Sequence, residues 1–444
     1  MPEIFANYIN GELVSRAQTF ENRNPANTDE LVGNFVKGTE WDMGDAVAAA
    51  YAALPAWSGM SGPARGAILY KAADILDRKF EQVSADMTRE EGKTLPEAGG
   101  EVRRSINIFR YFAGEGARMP GMLVPSERDR VHMFALRKPI GVVGLITAWN
   151  FPSAIPAWKL APALICGNTA VLKPASAAPL SAWRIVDALH EAGIPKGVVN
   201  FVAGSGGELG QALVSAPQLK AVSFTGSCQT GEWLHAEASR RRLRIQLEMC
   251  GKNPTIVLAD ADFPSAVENV VNAAFFSTGQ KCTATSRAIV EDAIYDRFVD
   301  AVVERTKKLK VGDGMQPGID IGPCVDQGQM ETDLRYIEMG RQESGQPRCG
   351  GRRLTEGAFA KGYFVEPTVF ADVEEQHTIA REEIFGPVLA ILRAKNFEDA
   401  MRIANNTPFG LSSSIQTTNL SRVFEYVYRA EAGLLTVNLP SAGV

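Results

Sequence analysis

Residues 141–247 contain five short apolar runs: Gly141-Val142-Val143-Gly144-Leu145-Ile146-Thr147, Thr169-Ala170-Val171-Leu172-Lys173, Val198-Val199-Asn200-Phe201-Val202, Lys220-Ala221-Val222-Ser223-Phe224 and Leu243-Arg244-Ile245-Gln246-Leu247. Segments with helical spacing lie between them, near 157–166, 179–192, 207–216 and 230–240. Strands of this length alternating with helices predict parallel pairing through right-handed crossovers, which is a doubly wound α/β domain. Such sheets take their ligands at the carboxyl ends of the strands.

The alternation resumes after residue 254, with apolar runs at 255–258, 287–291, 363–370, 387–392 and 412–417, and predicts a second α/β domain of similar size. Upstream, residues 63–84 carry Pro63 in a first-turn position and Ile68, Leu69, Ala72, Ile75, Leu76 and Phe80 at helical spacing. Val102, Ile106, Phe109 and Phe112 repeat the pattern over 99–113, so both segments read as helices covering a sheet. Residues 122–140 alternate like an exposed hairpin, either an oligomer contact or a plain surface excursion. No internal repeat or low-complexity segment is visible.

A chain of 444 residues exceeds one compact core and implies two or three domains. Its net charge of −5 gives no electrostatic reason to expect nucleic acid or an anionic membrane as partner. The one basic run, Ser239-Arg240-Arg241-Arg242-Leu243-Arg244, reads as a solvated helix end. The start lacks the basic and apolar regions of a secretory signal. The most apolar region, 141–172, is broken by Asn150, Pro152, Pro156, Lys159 and Pro162, unlike a membrane span. Six scattered cysteines without a CxxC pair fit free thiols in a reducing cytosol, and four histidines without ligand spacing give no support for a metal.

Three loops could carry chemistry. Gly204-Ser205-Gly206-Gly207-Glu208-Leu209-Gly210 follows a strand and precedes a helix, as a dinucleotide loop or a simple turn would. Phe224-Thr225-Gly226-Ser227 has the same context; Ser227 is either a pyrophosphate contact or an ordinary N-cap. In Ser277-Thr278-Gly279-Gln280-Lys281-Cys282 a thiol stands beside a cation in a polar loop. A neighbouring cation favours the reactive thiolate, although free cysteines are more often small buried hydrophobes.

Six separated motifs now occur together: Thr147-Ala148-Trp149-Asn150-Phe151-Pro152, Leu172-Lys173-Pro174-Ala175, Phe224-Thr225-Gly226-Ser227, Leu247-Glu248-Met249-Cys250-Gly251-Lys252, Gly279-Gln280-Lys281-Cys282 and Glu382-Glu383-Ile384-Phe385-Gly386-Pro387. In this order, and over essentially its whole length, the chain resembles the aldehyde dehydrogenase superfamily. The resemblance implies two doubly wound α/β domains: a Rossmann-like cofactor domain from 1–121 and 141–250, and a catalytic thiol domain over 251–444. Residues 122–140 become an oligomerisation hairpin. It implies Cys282 as nucleophile, Glu248 as general base, and Asn150, with the Cys282 N–H, as holder of the oxyanion. Thr147, Trp149, Lys173, Gly226, Ser227, Glu383 and Phe385 would hold NADP or NAD, with Ser176 near the adenosine ribose. No metal is implied.

The implied reaction is NAD(P)-dependent oxidation of an aldehyde to a carboxylate through a thiohemiacetal and a thioester on cysteine. The run from Trp149 to Lys159 and the ending from Val437 to Val444 resemble members acting on α-ketoglutarate (2,5-dioxopentanoate) semialdehyde. A succinic or other small aldehyde is the alternative, although Trp158 stands where succinic-semialdehyde enzymes tend to carry an arginine. A cytoplasmic homodimer or homotetramer is expected. Two readings from other classes compete: a cofactor-independent cysteine acyltransferase or hydrolase, and a catalytically impaired member with a binding or structural role.

Three positions depart from the family pattern. Ser176 replaces a glutamate that would repel a 2′-phosphate, so NADP is expected to be tolerated. Cys250 replaces a glycine, and would crowd the nicotinamide, form a redox pair with Cys282, or be tolerated. The family's C-terminal tail, with its tunnel-lining loop and intersubunit strand, is expected to be absent after Val444, leaving a sheet edge unpaired.

Overall fold

In a computed structural model, which describes residues 4–441, the chain divides into two compact units. The first comprises residues 1–23, 31–90 and 96–248, and the second 24–30, 91–95 and 249–444. Two short N-terminal segments thus fold with the second unit, which periodicity alone does not foretell.

The first unit is built on a seven-stranded sheet. Its parallel part runs Arg244–Glu248, Leu219–Thr225, Val142–Ile146, Thr169–Lys173 and Val199–Phe201 across the sheet, and Asn7–Ile9 and Glu12–Val14 extend it antiparallel. The first strand of the doubly wound set, Val142–Ile146, lies in the middle. Two successors go to one side and two to the other, so the order reverses between Val142–Ile146 and Leu219–Thr225. All five residues of Val142–Ile146 and of Thr169–Lys173 are buried, which is why both read as continuous apolar runs instead of alternating ones. Each Val, Leu or Ile so buried contributes roughly 1.5–3 kcal/mol.

The helices between these strands are Ala154–Ile165, Pro179–Glu191, Gly206–Ser215 and Cys228–Arg241. Leu95–Glu115 is also helical, whereas the segment expected at 63–84 is two helices, Gly62–Arg78 and Phe80–Glu91, broken at Lys79. The basic run ends a helix only in part. Arg242 takes a left-handed cap conformation, Arg241 donates to the carbonyls of Val214 and Ala216, and Arg244 already belongs to an edge strand. Met122–Pro125 and His132–Ala135 pair as an antiparallel hairpin whose apolar side chains face solvent, with Leu123 76% and Phe134 68% exposed.

The second unit holds a six-stranded, wholly parallel sheet in the order Thr368–Phe370, Val388–Ala394, Thr285–Glu291, Asn253–Val257, Ser412–Gln416 and Leu434–Val437. Alternate residues feed two cores: Ile256, Ile289 and Leu392 on one face, Val257, Val290 and Ile391 on the other. The run at 363–370 is not one strand. Pro367 has no N–H to give a ladder, and the run divides into Phe364–Val365, in a two-stranded sheet, and Thr368–Phe370, at the edge of the large one. Among the described residues no helix is long and apolar enough to cross a membrane.

Candidate active site

At the reversal point of the first sheet, the chain leaves its strands at Thr147 and Gly226, and a cavity of about 820 Å³ opens there. Thr147, Trp149, Lys173, Gly206, Gly226 and Ser227 are among its lining residues, so both glycine loops serve one cavity. No aspartate or glutamate lines it. Lys173 ends a central strand; burial pushes its ammonium down to about 8, and among the described residues it has no hydrogen-bond or ion-pair partner. Gly206 lies beside that ammonium: a Cβ there would stand 3.7 Å from Lys173 Nζ, in ordinary contact. A phosphate-bearing dinucleotide suits this donor set: one desolvated cation, small loop residues and a helix N-terminus. Ser227 is the N-cap of Cys228–Arg241, accepting from Thr230 N at 3.3 Å. Ser176 is outside the cavity lining; its hydroxyl donates to Gly204 O at 2.8 Å and ties the loop after Lys173 to the Gly204 loop.

Asn150 lies in the turn between Val142–Ile146 and Ala154–Ile165 and is 4% exposed. That turn is fixed from the helix Leu95–Glu115. Glu101 Oε1 accepts from the N–H groups of Ser153 (2.8 Å) and Ala154 (2.9 Å), and Ser105 Oγ lies 2.9 Å from Ser153 Oγ. A carboxylate on the first amides of a helix satisfies otherwise orphan donors and matches the positive end of the helix dipole.

Glu248 is the last residue of the edge strand Arg244–Glu248. Thr225 Oγ1 donates to its Oε2 at 3.2 Å, and Gln246 Nε2 to its Oε1 at 3.0 Å. Gln246 Oε1 accepts in turn from Ser223 Oγ and, at 3.4 Å, from Lys159 Nζ, which also bonds Ser223 Oγ at 2.7 Å. Burial pushes the Lys159 ammonium down to about 8, against the pull of the Glu248 carboxylate. The carboxylate is therefore oriented by two donors, and the Lys159 ammonium supports one of them through its bonds to Gln246 and Ser223.

In the second unit the motif residues gather at the amino ends of three neighbouring strands, not the carboxyl ends. Gly251 precedes Asn253–Val257, Cys282 precedes Thr285–Glu291, and Glu383 and Phe385 precede Val388–Ala394. The loop before Cys282 is strained: Ser277 (φ 54°), Thr278 (φ 58°) and Gly279 (φ 68°) are successive left-handed residues. Side chains hold it there. Thr278 Oγ1 donates to Gly322 O at 3.0 Å, Gln280 Oε1 accepts from Val325 N at 2.9 Å, and Asn253 Nδ2 donates to Cys282 O at 2.7 Å. Cys282 itself is half-buried.

Phe385 is also left-handed (φ 63°). Its loop is pinned by Gln329 Nε2, which donates to Ile384 O at 3.1 Å and to Asp333 Oδ1 at 2.8 Å. Burial pushes the Asp333 carboxyl up to about 7, and its oxygens abut Gly386, where any Cβ would overlap them. A Cβ on Gly279 would in turn fall 2.3 Å from Gly386 O, so glycine is obligatory where the thiol loop meets the Phe385 loop. Burial also raises the Glu383 carboxyl, opposed by hydrogen bonds from Gly251 N–H and the Cys250 thiol.

The aldehyde dehydrogenase family model matches residues 13–444. The chain belongs to the aldehyde dehydrogenase family. It is similar to the alpha-ketoglutaric semialdehyde dehydrogenase of Bacillus subtilis (strain 168), with 46% identity covering 99% of this chain and 91% of the relative. It is also similar to the 2,5-dioxopentanoate dehydrogenase of Saccharolobus solfataricus, with 41% identity covering 95% and 87%. Among solved structures, a Staphylococcus aureus betaine aldehyde dehydrogenase in complex with NAD+ superposes with a TM-score of 0.96 at 32% identity, covering 98% of this chain and 87% of that one. An E. coli NADP dependent enzyme gives 0.95 at 34%, covering 98% and 90%. This aldehyde dehydrogenase is thus an oxidoreductase working with NAD or NADP.

Sequence reading passed over Lys159, Gln246, Glu101, Gln329 and Asp333. Lys159 had a signal, as a lone cation amid apolar residues in a helix. Glu101 and Asp333 had none, because a carboxylate at helical spacing ordinarily reads as a solvated face.

Proposed function

We propose that this aldehyde dehydrogenase oxidises an ω-oxo acid of the 2,5-dioxopentanoate type, with Cys282 as nucleophile, Glu248 as general base and Asn150 as donor to the oxyanion. The named substrates of the two relatives support the choice of aldehyde. The observation that carries the roles is the investment in two side chains: a strained, over-determined loop presents Cys282, and two donors orient Glu248.

The Cys282 thiolate adds to the aldehyde carbon, and the carbonyl oxygen becomes an alkoxide that the Asn150 amide and the Cys282 N–H stabilise. A nicotinamide, when bound, accepts the hydride lost from that carbon, which leaves a thioester on Sγ. Glu248 takes a proton from water, and the hydroxide displaces the Cys282 thiolate as the carboxylate product forms. The Thr225 and Gln246 bonds fix the carboxylate, and Lys159, donating to Ser223 and Gln246, helps to hold Gln246 in the orientation that does so.

Thr147, Trp149, Lys173, Gly226 and Ser227 line the cavity that would receive the adenosine half of the cofactor, with Glu383 and Phe385 serving the nicotinamide half. A lining with a buried ammonium and no carboxylate favours acceptance of a 2′-phosphate, and Ser176 adds no charge against it. The exposed hairpin over 122–140 would pair copies of the chain into a dimer or tetramer in the cytoplasm. An aldehyde panel with each nucleotide, followed by absorbance of reduced nicotinamide, tests the function. Turnover of ω-oxo acids with NADP at least as efficient as with NAD is expected; none with any aldehyde would favour a cofactor-independent thiol enzyme.

A further inference from the structure

Cys250 stands where the family pattern has glycine, and oxidation of an aldehyde gives its thiol no step to perform. Its surroundings bring it to Cys282. The ladder between Asn253–Val257 and Thr285–Glu291 opens with Asn253 opposite Thr285, and Cys250 and Cys282 each lie three residues upstream of these partners. The two approaches stay together over that distance. Asn253 Nδ2 donates to Cys282 O at 2.7 Å, and a Cβ built on Gly251 would fall 2.5 Å from the same carbonyl.

Glu383 closes the arrangement. The strand Thr285–Glu291 lies between Asn253–Val257 and Val388–Ala394. Glu383 precedes the last of these, so it reaches across the strand entry of Cys282 to accept from Gly251 N–H at 2.7 Å and from the Cys250 thiol. All these groups belong to the second unit. Neighbouring strands lie about 4.8 Å apart and a disulfide joins Cα atoms separated by about 4.4–6.8 Å, so opposed positions at two strand entries suit one. Both thiols are half-buried, which leaves a small oxidant a way in. Lys281, next to Cys282 in the chain, is a cation that favours the thiolate. Burial instead raises the thiols of Cys166, Cys324 and Cys349, the last to about 11, and keeps them protonated and slow to react.

We infer that Cys250 and Cys282 are a site of reversible oxidation by peroxides, with Cys250 as the thiol that resolves an oxidised Cys282 into a disulfide. The Cys282 thiolate attacks a peroxide oxygen and the O–O bond breaks. The departing alkoxide, or hydroxide from hydrogen peroxide, takes up the proton that the thiol gave up, and a sulfenic acid remains on Cys282. The Cys250 sulfur then attacks Cys282 Sγ; an S–S bond forms, the S–O bond breaks, and the hydroxide leaves as water with the Cys250 proton. The two thiols together lose the two electrons that reduce the peroxide. A dithiol reductant reverses the bond by exchange. Without Cys250 the sulfenic acid goes on to sulfinic and sulfonic acids, which such a reductant does not restore. The disulfide withholds the nucleophile while it lasts and takes one donor from Glu383.

The test treats the full chain with a small excess of hydrogen peroxide, and reads intact mass, peptide maps of the alkylated protein and dehydrogenase activity before and after dithiothreitol. Wild type should lose two hydrogens in mass and yield a peptide pair crosslinked through Cys250 and Cys282, with activity falling and then returning on reduction. Cys250→Ser and Cys250→Gly should give no crosslink, and their Cys282 should gain two or three oxygens. The fraction of its own starting activity that each variant recovers should be at least about tenfold below wild type. Wild-type Cys282 found as a sulfinic acid, crosslinked to another cysteine or left unoxidised would overturn the pairing, as would equal recovery in the Cys250 variants. The crosslink is read from mass, so it is decided even where no aldehyde is turned over, a result that would count against the dehydrogenase reading alone.

Discussion

The backbone N–H of Gly251 donates to Glu383 Oε1 at 2.7 Å, and the thiol of Cys250, one residue earlier, bonds the same carboxylate. The turn after Glu248 is thereby tied to the loop that presents Phe385. Cys250 is not among the residues with positive φ, so the glycine usual at this position is not demanded by the backbone, and a side chain costs no strain.

Cys250→Gly removes one donor from Glu383 and leaves the Gly251 bond in place. A competitor for the group that would hold the nicotinamide ribose is lost, so nucleotide KM should fall about two- to threefold, the weight of a weak hydrogen bond. Thioester formation on Cys282 should continue unchanged. Rapid mixing with mass detection of the acyl-enzyme checks both, and failure to acylate would mean that Cys250 is the nucleophile.

Glu248→Gln keeps the shape that Thr225 and Gln246 grip but cannot take a proton from water. One equivalent of reduced nicotinamide should form in a burst, followed by a steady state slower by about 10²- to 10⁴-fold. A uniform loss of burst and steady state would place Glu248 before thioester formation instead.

Lys173 should make nucleotide binding pH-dependent. Its ammonium loses its proton as pH rises through about 8, so nucleotide affinity should fall across that pH, more for NADP than for NAD, and Lys173→Met should bind weakly without this dependence. The stability effect has the opposite sign. With the folded pKa below the usual 10.5, the folded state holds fewer protons than the unfolded chain from about 8 to 10.5, so this residue's contribution to stability rises with pH in that window. Fluorescence titration and thermal melts across pH separate the two.

Glu101→Ala strips the acceptor from two helix-terminal amides beside Asn150 and should cost about 1–3 kcal/mol of stability. Because Asn150 then loses its anchor, kcat should fall more than KM rises, measured on protein that is still folded by circular dichroism.

The parallel part of the first sheet was legible because its central strands, Val142–Ile146, Thr169–Lys173 and Val199–Phe201, are buried on both faces and its turns carry glycine. The apolar runs coincide with strands to within a residue or two, and the cavity opens where doubly wound topology puts it. The 363–370 run misled because two short strands of different sheets adjoin with only Glu366 and Pro367 between them. The strand Leu434–Val437 went unread, since a half-exposed edge strand lacks a continuous apolar signature. Among the site residues, the motifs name Cys282, Glu248, Asn150 and Phe385, yet sequence alone gives no sign that Glu101 supports the turn of Asn150 or that Asp333 supports the Phe385 loop. Gln246 shares a strand face with Glu248, two positions on, but Glu101 and Asp333 lie 49 and 53 positions from Asn150 and Gly386, and no periodicity encodes those contacts.

The most direct measurement is single-turnover oxidation of 5-oxopentanoate by wild type and Cys282→Ala, reading reduced nicotinamide and intact protein mass together. Wild type should form reduced nicotinamide and a transient acyl adduct on Cys282, and the variant should bind nucleotide normally yet produce neither. Hydride transfer surviving in Cys282→Ala would contradict covalent catalysis by this thiol.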